Sequence, residues 1–520
     1  MKTSLYSKEI MKYFKSPRNV GVIKNPDGVG KVGNLVCGDI MELYIKVKNN
    51  KIIDVKFQTF GCLPPDEKVV IREGDWIDIS SISVGIPVLN SKGNQTIVTE
   101  TNKRKYNGIL FKIVPFVSPY NSFCVTTEHP ILAIKRRWLK SARISNKKSW
   151  LRVEEKELLN TKPDYVEASG LEIGDYLTFV VNRRIKDNPI LTKDIMRLLG
   201  YYLSEGYIAA KNSLVAFAFN KKEKDAISEV KNIILNVTGK EAKERIRKNV
   251  CEVYVCSRKL VKFICSNCGK LARNKKLSEE VLILPAEKQI SLIGTYFIGD
   301  GCSNKRRPHN NPIYRMATAS EVLAIQLQEL LARQGIFSSI KKVFRKEHFI
   351  EGRMIRKSIL YEISFMIKRK NKFVHYNGKH FLVPIKKIEK NHFKGDVFNF
   401  EVEKEPHTYL VKGFAVHNCV VALAVSSMLT EIVKGKTIEQ ALRITNKDIL
   451  KKSGPVPPIK IHCSFLAADA LYEAIYNYFS KNKKAIPENL KKKHKRIQNN
   501  LKQLEATHKE FTEFEEKILQ

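Results

Sequence analysis

Two short stretches decide how this chain is read: Thr59-Phe60-Gly61-Cys62-Leu63-Pro64-Pro65 and, far downstream, Val416-His417-Asn418-Cys419. A thiol at the start of a segment can attack the carbonyl just before it and turn an amide into a thioester. An Asn at the end of a segment can cyclise through its side-chain amide and break the chain there. A second thiol, Cys419, can receive the acyl group in between. The pattern predicts that residues 62–418 cut themselves out and that residues 1–61 are joined to 419–520. The bland alternative is a Cys and an Asn-Cys in unrelated loops. The sequence on either side decides between them.

Upstream, Ser7 to Phe14 reads as a short helix that stops at Ser16-Pro17-Arg18-Asn19. Met41, Leu43, Ile45 and Val47 alternate with polar neighbours, Asn49-Asn50 turns, and Ile53, Val55 and Phe57 alternate again, which predicts a hairpin. Downstream, Cys419 opens an apolar run that ends at Lys434-Gly435, as a helix would. Thr437 with Gln440 makes a capping box, and Asn446 caps a third helix that ends near Gly454. Pro455 to Lys460 is rigid and extended, and Ser464 to Phe479 reads as a long last helix.

Across the join, QTFG runs straight into CVVALAVSSMLTE. With SPRNVG at 16–21, VCGDIMELYIKV at 36–47, GKTIEQALRITNKDI at 435–449 and PPIKIHCSFLAADAL at 457–471, the joined text resembles an iron–sulfur cluster assembly scaffold of the IscU type, also the N-terminal domain of NifU. The resemblance is continuous only across the join. It implies Cys37, Cys419 and Cys463 as cluster thiolates, with Asp39 and His462 as neighbouring ligands or gates; a core or helix-cap role is the alternative for His462. It implies an iron–sulfur cluster of the 2Fe–2S kind. The partners implied are a cysteine desulfurase as sulfur donor, apo acceptor proteins, and an Hsp70-type chaperone at Val456-Pro457-Pro458-Ile459-Lys460, where Val456 stands for the family's common Leu. Residues 480–520 lie beyond the resemblance. Ile497, Leu501, Leu504, His508, Phe511 and Ile518 there follow a 3–4 spacing, either an amphipathic partner helix or a solvated tail.

The inserted segment opens with Cys62 and a predicted hairpin of Lys68–Arg72 and Trp76–Ile79. Val125-Thr126-Thr127-Glu128-His129-Pro130, then Val397 to Val402, then His407, then Val416 to Cys419 follow in order, and together these blocks resemble those of inteins. The resemblance implies an all-β splicing (Hint) domain in two parts, 62–183 and 390–418. In it Cys62 attacks the Gly61 carbonyl, Thr126 orients the bond, and His129 protonates the departing amine. Cys419 takes the acyl group, and Asn418 cyclises with His417 and His407 assisting. The penultimate block carries Asn399 where the family often has Asp, and Asn can be neither base nor anion.

Residues 184–389 are too long and too helical for that domain alone. Leu198-Leu199-Gly200-Tyr201-Tyr202-Leu203-Ser204-Glu205-Gly206 and Leu292-Ile293-Gly294-Thr295-Tyr296-Phe297-Ile298-Gly299-Asp300-Gly301 are an internal pair, each an apolar helix ending in an acid and a Gly. They resemble the two motifs of LAGLIDADG homing endonucleases, and Thr295 replaces a packing Gly, which predicts a looser helix pair. The resemblance implies an α/β DNA-cutting domain in which Glu205 and Asp300 hold Mg²⁺, with Lys275 or Lys276 as a catalytic lysine. Arg273, Arg306, Arg307, Lys341, Lys342 and Arg345 would track phosphates. A folded but decayed endonuclease is the alternative. Ser320 to Gln334 before Gly335 reads as a further helix. Cys251, Cys256, Cys265 and Cys268 have a spacing open to zinc, but the first two also fit a strand with Val253 and Val255 inward.

The whole is expected to be α+β: a split scaffold of hairpin sheet and helices around an all-β domain with an α/β insertion. A net charge of +39 points to a polyanion, DNA before membrane. No apolar run reaches the roughly 18 residues of a membrane span, and the N-terminus has no apolar signal core. Ten cysteines in so long a chain read as reduced thiols in a cytoplasmic protein. The rival functions are a DNA endonuclease with inert flanks and a non-catalytic basic DNA-binding protein.

Overall fold

The computed structural model describes residues 7–15, 17–33, 40–58, 61–71, 74–127, 129–141, 153–209, 213–304, 312–350, 353–355, 357–367, 373–404, 406–417, 420–456 and 461–499. Expectations for Cys37, Asp39, Arg306, Arg307, Asn418, Cys419, Pro457 to Lys460 and the residues after 499 therefore lie outside the described residues.

The two ends of the chain form one domain. Strands Gly28–Gly33, Ile40–Lys48 and Lys51–Gln58 make an antiparallel sheet. Asn49 and Asn50 turn the hairpin with φ of 49° and 60°, a left-handed pair that Asn tolerates. The expected alternation holds for Met41, Leu43 and Ile45, which are all buried, but not for Ile53. Ile53 is 47% exposed while Ile52 is 0% exposed. The register shifts at this point: Lys46 faces Asp54 and Val47 faces Ile52, so Ile53 is the extra residue of a bulge.

Helix Lys8–Lys15 starts at Ser7, whose Oγ accepts from the Ile10 N–H. The helices Val420–Val433, Ile438–Leu442, Asn446–Ser453 and His462–Lys481 complete the domain. Thr437 and Gln440 form the expected capping box. The third helix is capped by Thr445 rather than Asn446: the Asp448 carboxylate accepts from both the N–H and the O–H of Thr445. Phe14, Leu43, Val55 and Phe57 pack in one core with Val425, Leu429, Leu471 and Ile475. Backbone bonds cross between the pieces, from Ile52 N to Lys436 O, Gly435 N to Ile52 O and Ile438 N to Asn50 O. Gly28 and Gly30 let the last helix close on the sheet; a Cβ there would lie 2.2 Å from the Ala474 oxygen and 2.0 Å from that of Ala470. Leu490 and Ile497 are buried against the same core, so the start of the tail is docked.

Between the ends lies a 12-stranded sheet. Its spine is two long antiparallel strands, Gln95–Pro115 and His380–Val402. The second begins at His380, ahead of residue 390. Lys68–Val70 pairs with Trp76–Asp78 as the predicted hairpin. Phe123–Thr126, Pro130–Ile134, Tyr176–Val180, Thr408–Val411 and Phe414–His417 fill the sheet around them.

The remaining part shows the internal pair as a structural repeat. Helix Lys193–Glu205 leads into strands Gly206–Ala209 and Leu214–Asn220, helix Lys224–Thr238, and strands Lys243–Arg247 and Val250–Cys256. Helix Ala286–Asp300 leads into Gly301–Asn304 and Ile313–Thr318, helix Glu321–Arg333, and strands Ser339–Arg345 and Ser358–Phe365. Both four-stranded sheets run first, second, fourth, third. Thr192 and Ser320 cap their helices with side-chain oxygens.

The two motif helices are not loosened by Thr295. Its hydroxyl donates to the Arg197 oxygen across the crossing at 2.9 Å and fills the space above Gly200. One turn further on, Ser204 faces Gly299 in the opposite sense. Each contact thus pairs a Gly with a hydroxyl residue. Cys251, Val253 and Val255 face the core while Cys256 is exposed on the other face of the strand, which separates the first two cysteines. Among the described residues no group of side chains is arranged to hold a metal through three or more His, Cys, Asp or Glu, and no helix is long and apolar enough to cross a membrane.

Candidate functional sites

The bond between Gly61 and Cys62 is held on every side. Leu63 exchanges backbone hydrogen bonds with Phe398, N to O at 2.9 Å and back at 2.8 Å, which pins the chain to the long returning strand. The Cys62 N–H donates to Thr126 Oγ1 at 2.8 Å, and the Thr126 N–H donates to the Cys62 oxygen at 3.0 Å. The Gly61 oxygen accepts from Asn399 Nδ2 at 2.9 Å. Arg104 Nε lies 3.3 Å from the Cys62 sulfur, which is buried.

His129 packs against Gly61, so closely that a Cβ on residue 61 would sit 2.0 Å from the ring carbon Cγ. The imidazole is fully buried, and burial lowers its pKa to about 3. The Gly61 backbone beside the ring opposes that shift, and His417 adds to it. His129 is therefore neutral at any ordinary pH.

His407 and His417 are buried near the end of the segment. His407 adopts a φ of 54° and directs Nδ1 at Glu401 Oε1, 2.5 Å away, and at the Val402 oxygen, 3.0 Å away. His417 sits opposite Thr408 in the strand pair, with its ring against Tyr165 at 4.9 Å. Arg104, Tyr409 and Glu401 were not anticipated. Glu401 stands in a quoted block, but nothing in the basic run Lys103-Arg104-Lys105 marks the middle residue, and Tyr409 reads as an ordinary strand aromatic.

In the second site the motif helices bring Glu205 and Asp300 together at their C-terminal ends. Burial raises the Glu205 pKa to about 7, and the Asp300 charge adds to it while Lys275 opposes. Burial likewise raises Asp300 to about 6 against the pull of Lys275. Two acids that repel each other in a partly dry site have the donor chemistry of a hard divalent cation. Lys275 itself is buried, and its ammonium donates to the oxygens of Tyr202, Leu203 and Gly206 at 2.8, 3.0 and 2.9 Å. It satisfies the last carbonyls of the first motif helix. Burial lowers its pKa to about 8. Lys276 is exposed. Arg273 is exposed beside it, and Lys341, Lys342 and Arg345 lie on the sheet of the second repeat.

Of the expected cluster ligands, Cys463 is buried in the first turn of the helix His462–Lys481. Val456 packs against the scaffold core, just before the undescribed Pro457 to Lys460.

Residues 5–64 and 387–485 match the NifU-like N-terminal domain, and residues 287–361 match the LAGLIDADG-like domain. An iron–sulfur cluster assembly SufBD family protein of Mycobacterium tuberculosis is 31% identical over 383 residues, covering 72% of this chain and 44% of that protein. The chain thus spans less than half the length of that relative. The iron–sulfur cluster assembly scaffold protein IscU 1 of Archaeoglobus fulgidus is 62% identical over 58 residues, 11% of this chain and 38% of that protein. An ATP-dependent DNA helicase of Thermococcus kodakarensis is 25% identical over 412 residues, 69% of this chain and 36% of that protein. Among solved structures, a mesophilic variant of the homing endonuclease I-DmoI aligns with 13% identity over 34% of this chain and 91% of its own, with a TM-score of 0.24. The chain carries a NifU-like N-terminal domain of the IscU type in two pieces at its ends and a LAGLIDADG domain between them.

Proposed function

We propose that residues 62–418 excise themselves, that residues 1–61 joined to 419–520 become an iron–sulfur cluster scaffold, and that the excised piece is a metal-dependent DNA endonuclease. The observation that carries this reading is the clamp on the Gly61–Cys62 bond: Thr126 on the leaving nitrogen, Asn399 on the carbonyl oxygen, His129 against the glycine. Two further facts support it. The two ends already share one core, so the host fold itself brings the pieces together around the insertion. The similarities to the SufBD protein and to the helicase each cover about seven-tenths of this chain, about the share that residues 62–418 occupy, whereas the IscU similarity covers 11%.

In the proposed sequence the Cys62 sulfur attacks the Gly61 carbonyl while neutral His129 takes up a proton and returns it to the departing Cys62 nitrogen. Thr126 holds that nitrogen in place. Cys419 then takes the acyl group, Asn418 cyclises with His417 and His407 assisting, and an S-to-N shift leaves a normal peptide bond. At the second site Glu205 and Asp300 would hold Mg²⁺, which when bound supplies the charge to activate water at each DNA strand. Lys275 fixes the backbone beneath the acids, and exposed Lys276, Arg273 and the 339–345 strand would face phosphates. The spliced scaffold would take a cluster, of the 2Fe–2S kind, as cargo on Cys37, Cys419 and Cys463 with Asp39 and His462 beside them. A cysteine desulfurase, acceptor proteins and an Hsp70-type chaperone are its proposed partners in the cytoplasm.

Changing Asn418 to Ala separates the steps. The Asn418→Ala chain is expected to retain residues 419–520 on the insertion while still releasing residues 1–61 to an added thiol. Free 419–520 from that variant would contradict the assignment.

A further inference from the structure

We propose that Arg104 and Asn399 together drive the first acyl shift: the guanidinium balances charge gathering on the Cys62 sulfur, and the carboxamide balances charge gathering on the Gly61 oxygen. This inference rests on the reading of residues 62–418 as a self-excising segment. In the long strand pair Arg104 is opposite Val397 and Asn102 is opposite Asn399. Directly opposed residues share a face of the sheet, and so do residues two apart. Arg104 and Asn399 therefore project on the same face, one diagonal step apart, and Gly61-Cys62 lies over that step, pinned through the Leu63–Phe398 bridge.

The two donors are oriented before any reaction. Asn399 Oδ1 accepts from the Tyr409 hydroxyl at 3.0 Å and from the Phe400 N–H at 2.9 Å, so the amide cannot flip and its Nδ2 must face the Gly61 oxygen. Tyr409 is fully buried and keeps its proton, which makes it a lasting donor. Arg104 is half-buried, with its guanidinium carbon 5.2 Å from the centre of the Tyr106 ring, and Nε is aimed at the sulfur. A preset donor at a developing oxyanion, in a site from which water is excluded, acts at the moment of bond formation without reorganising. A charged donor on sulfur favours the nucleophilic thiolate form. Thus Asn399, which can be neither base nor anion, acts as an electrophilic donor.

In the step itself the S–H bond breaks and a bond forms between Cys62 Sγ and the Gly61 carbonyl carbon. The C–N bond between Gly61 and Cys62 then breaks, and the proton from sulfur ends on the new Cys62 amine. Atoms and electrons balance with no co-reactant.

The test uses the full chain carrying Asn418→Ala and Cys419→Ala, in which only this first step runs. Dithiothreitol then releases residues 1–61, and mass spectrometry times the release. Added Asn399→Ala is expected to slow release about 100-fold, as loss of one oxyanion donor does. Arg104→Ala is expected to slow it about 10- to 100-fold, with Arg104→Lys in between. Methylguanidinium should restore Arg104→Ala and leave Asn399→Ala slow, which a folding defect would not do. Parent-like rates in both variants would overturn the inference and leave the splicing reading intact, as would an Arg104→Ala defect that neither Lys nor methylguanidinium relieves. If the parent itself releases nothing, the splicing reading fails and takes this inference with it.

Discussion

The proposed splice site and the acid pair are both partly dry, and at each burial favours the uncharged form, with different consequences. At Gly61-Cys62 it holds His129 neutral, with a pKa of about 3, among the neutral donors and acceptors Thr126, Asn399 and Tyr409, and the half-buried Arg104 guanidinium brings a positive charge to the sulfur. At Glu205 and Asp300 it lifts two neighbouring carboxyls to about 7 and about 6, with the Asp300 charge adding at Glu205 and Lys275 opposing at both. The first site can act with the atoms it has. The second has the oxygen donors that a divalent cation would relieve of their charge. On the proposed function, one chain would carry two chemistries that should respond independently to mutation, pH and metal.

The largest effects test that independence. Cys62→Ala is expected to abolish thiol-dependent release of residues 1–61, a loss of at least about 1,000-fold on the scale of a removed nucleophile, and to leave Mg²⁺-dependent DNA cleavage unchanged. Asp300→Ala is expected to do the reverse. A defect in both activities from either change would join what the comparison separates. Next, Gly61→Ala would drive a methyl group to 2.0 Å from Cα, Cβ and Cγ of His129. The carbonyl must then leave Asn399, so release should slow about 100-fold. A parent-like rate would mean that this close approach is not the reacting geometry.

Smaller effects concern stability of the cutting domain. Lys275→Met removes the buried ammonium that the Tyr202, Leu203 and Gly206 oxygens share at the end of the first motif helix and should lower stability by about 3 kcal/mol, read from denaturant midpoints. The smallest effect is pH-dependent. Both acids have folded pKa values raised above their unfolded ones, so the unfolded chain ionises first as pH rises. Stability is then fullest below about pH 4 and declines through about pH 7. Asp300→Asn should remove part of that decline, worth about 1 kcal/mol at pH 8 after allowing for solvent screening. Mg²⁺ should raise the parent's melting temperature at pH 8 and the variant's much less. An unchanged melting temperature in Asp300→Asn would show that the buried Asp300 charge costs no stability.

The elements with strong local signals were legible in the sequence. The hairpin around Asn49-Asn50, the two motif helices and the Thr437 capping box needed only period and cap chemistry. Errors arose where a neighbour outside the local window decides. Ile53 points outward because a bulge at Lys46–Val47 shifts parity, and no period-two count contains the extra residue. Thr295 looked like a poor substitute for Gly because its partner, Gly200, sits on another helix. The geometry around the proposed splice site is half legible. Cys62, Thr126 and His129 stand in recognisable blocks, whereas Arg104 and Tyr409 reach the site only through strand register across the sheet.

The most direct measurement is the mass of the products when the full chain is expressed in reducing conditions, with fragment sequencing across the junction. The account predicts a protein of residues 1–61 joined to 419–520, with Gly61 bonded directly to Cys419, and a separate piece of residues 62–418. An intact chain of 520 residues as the sole product would contradict it.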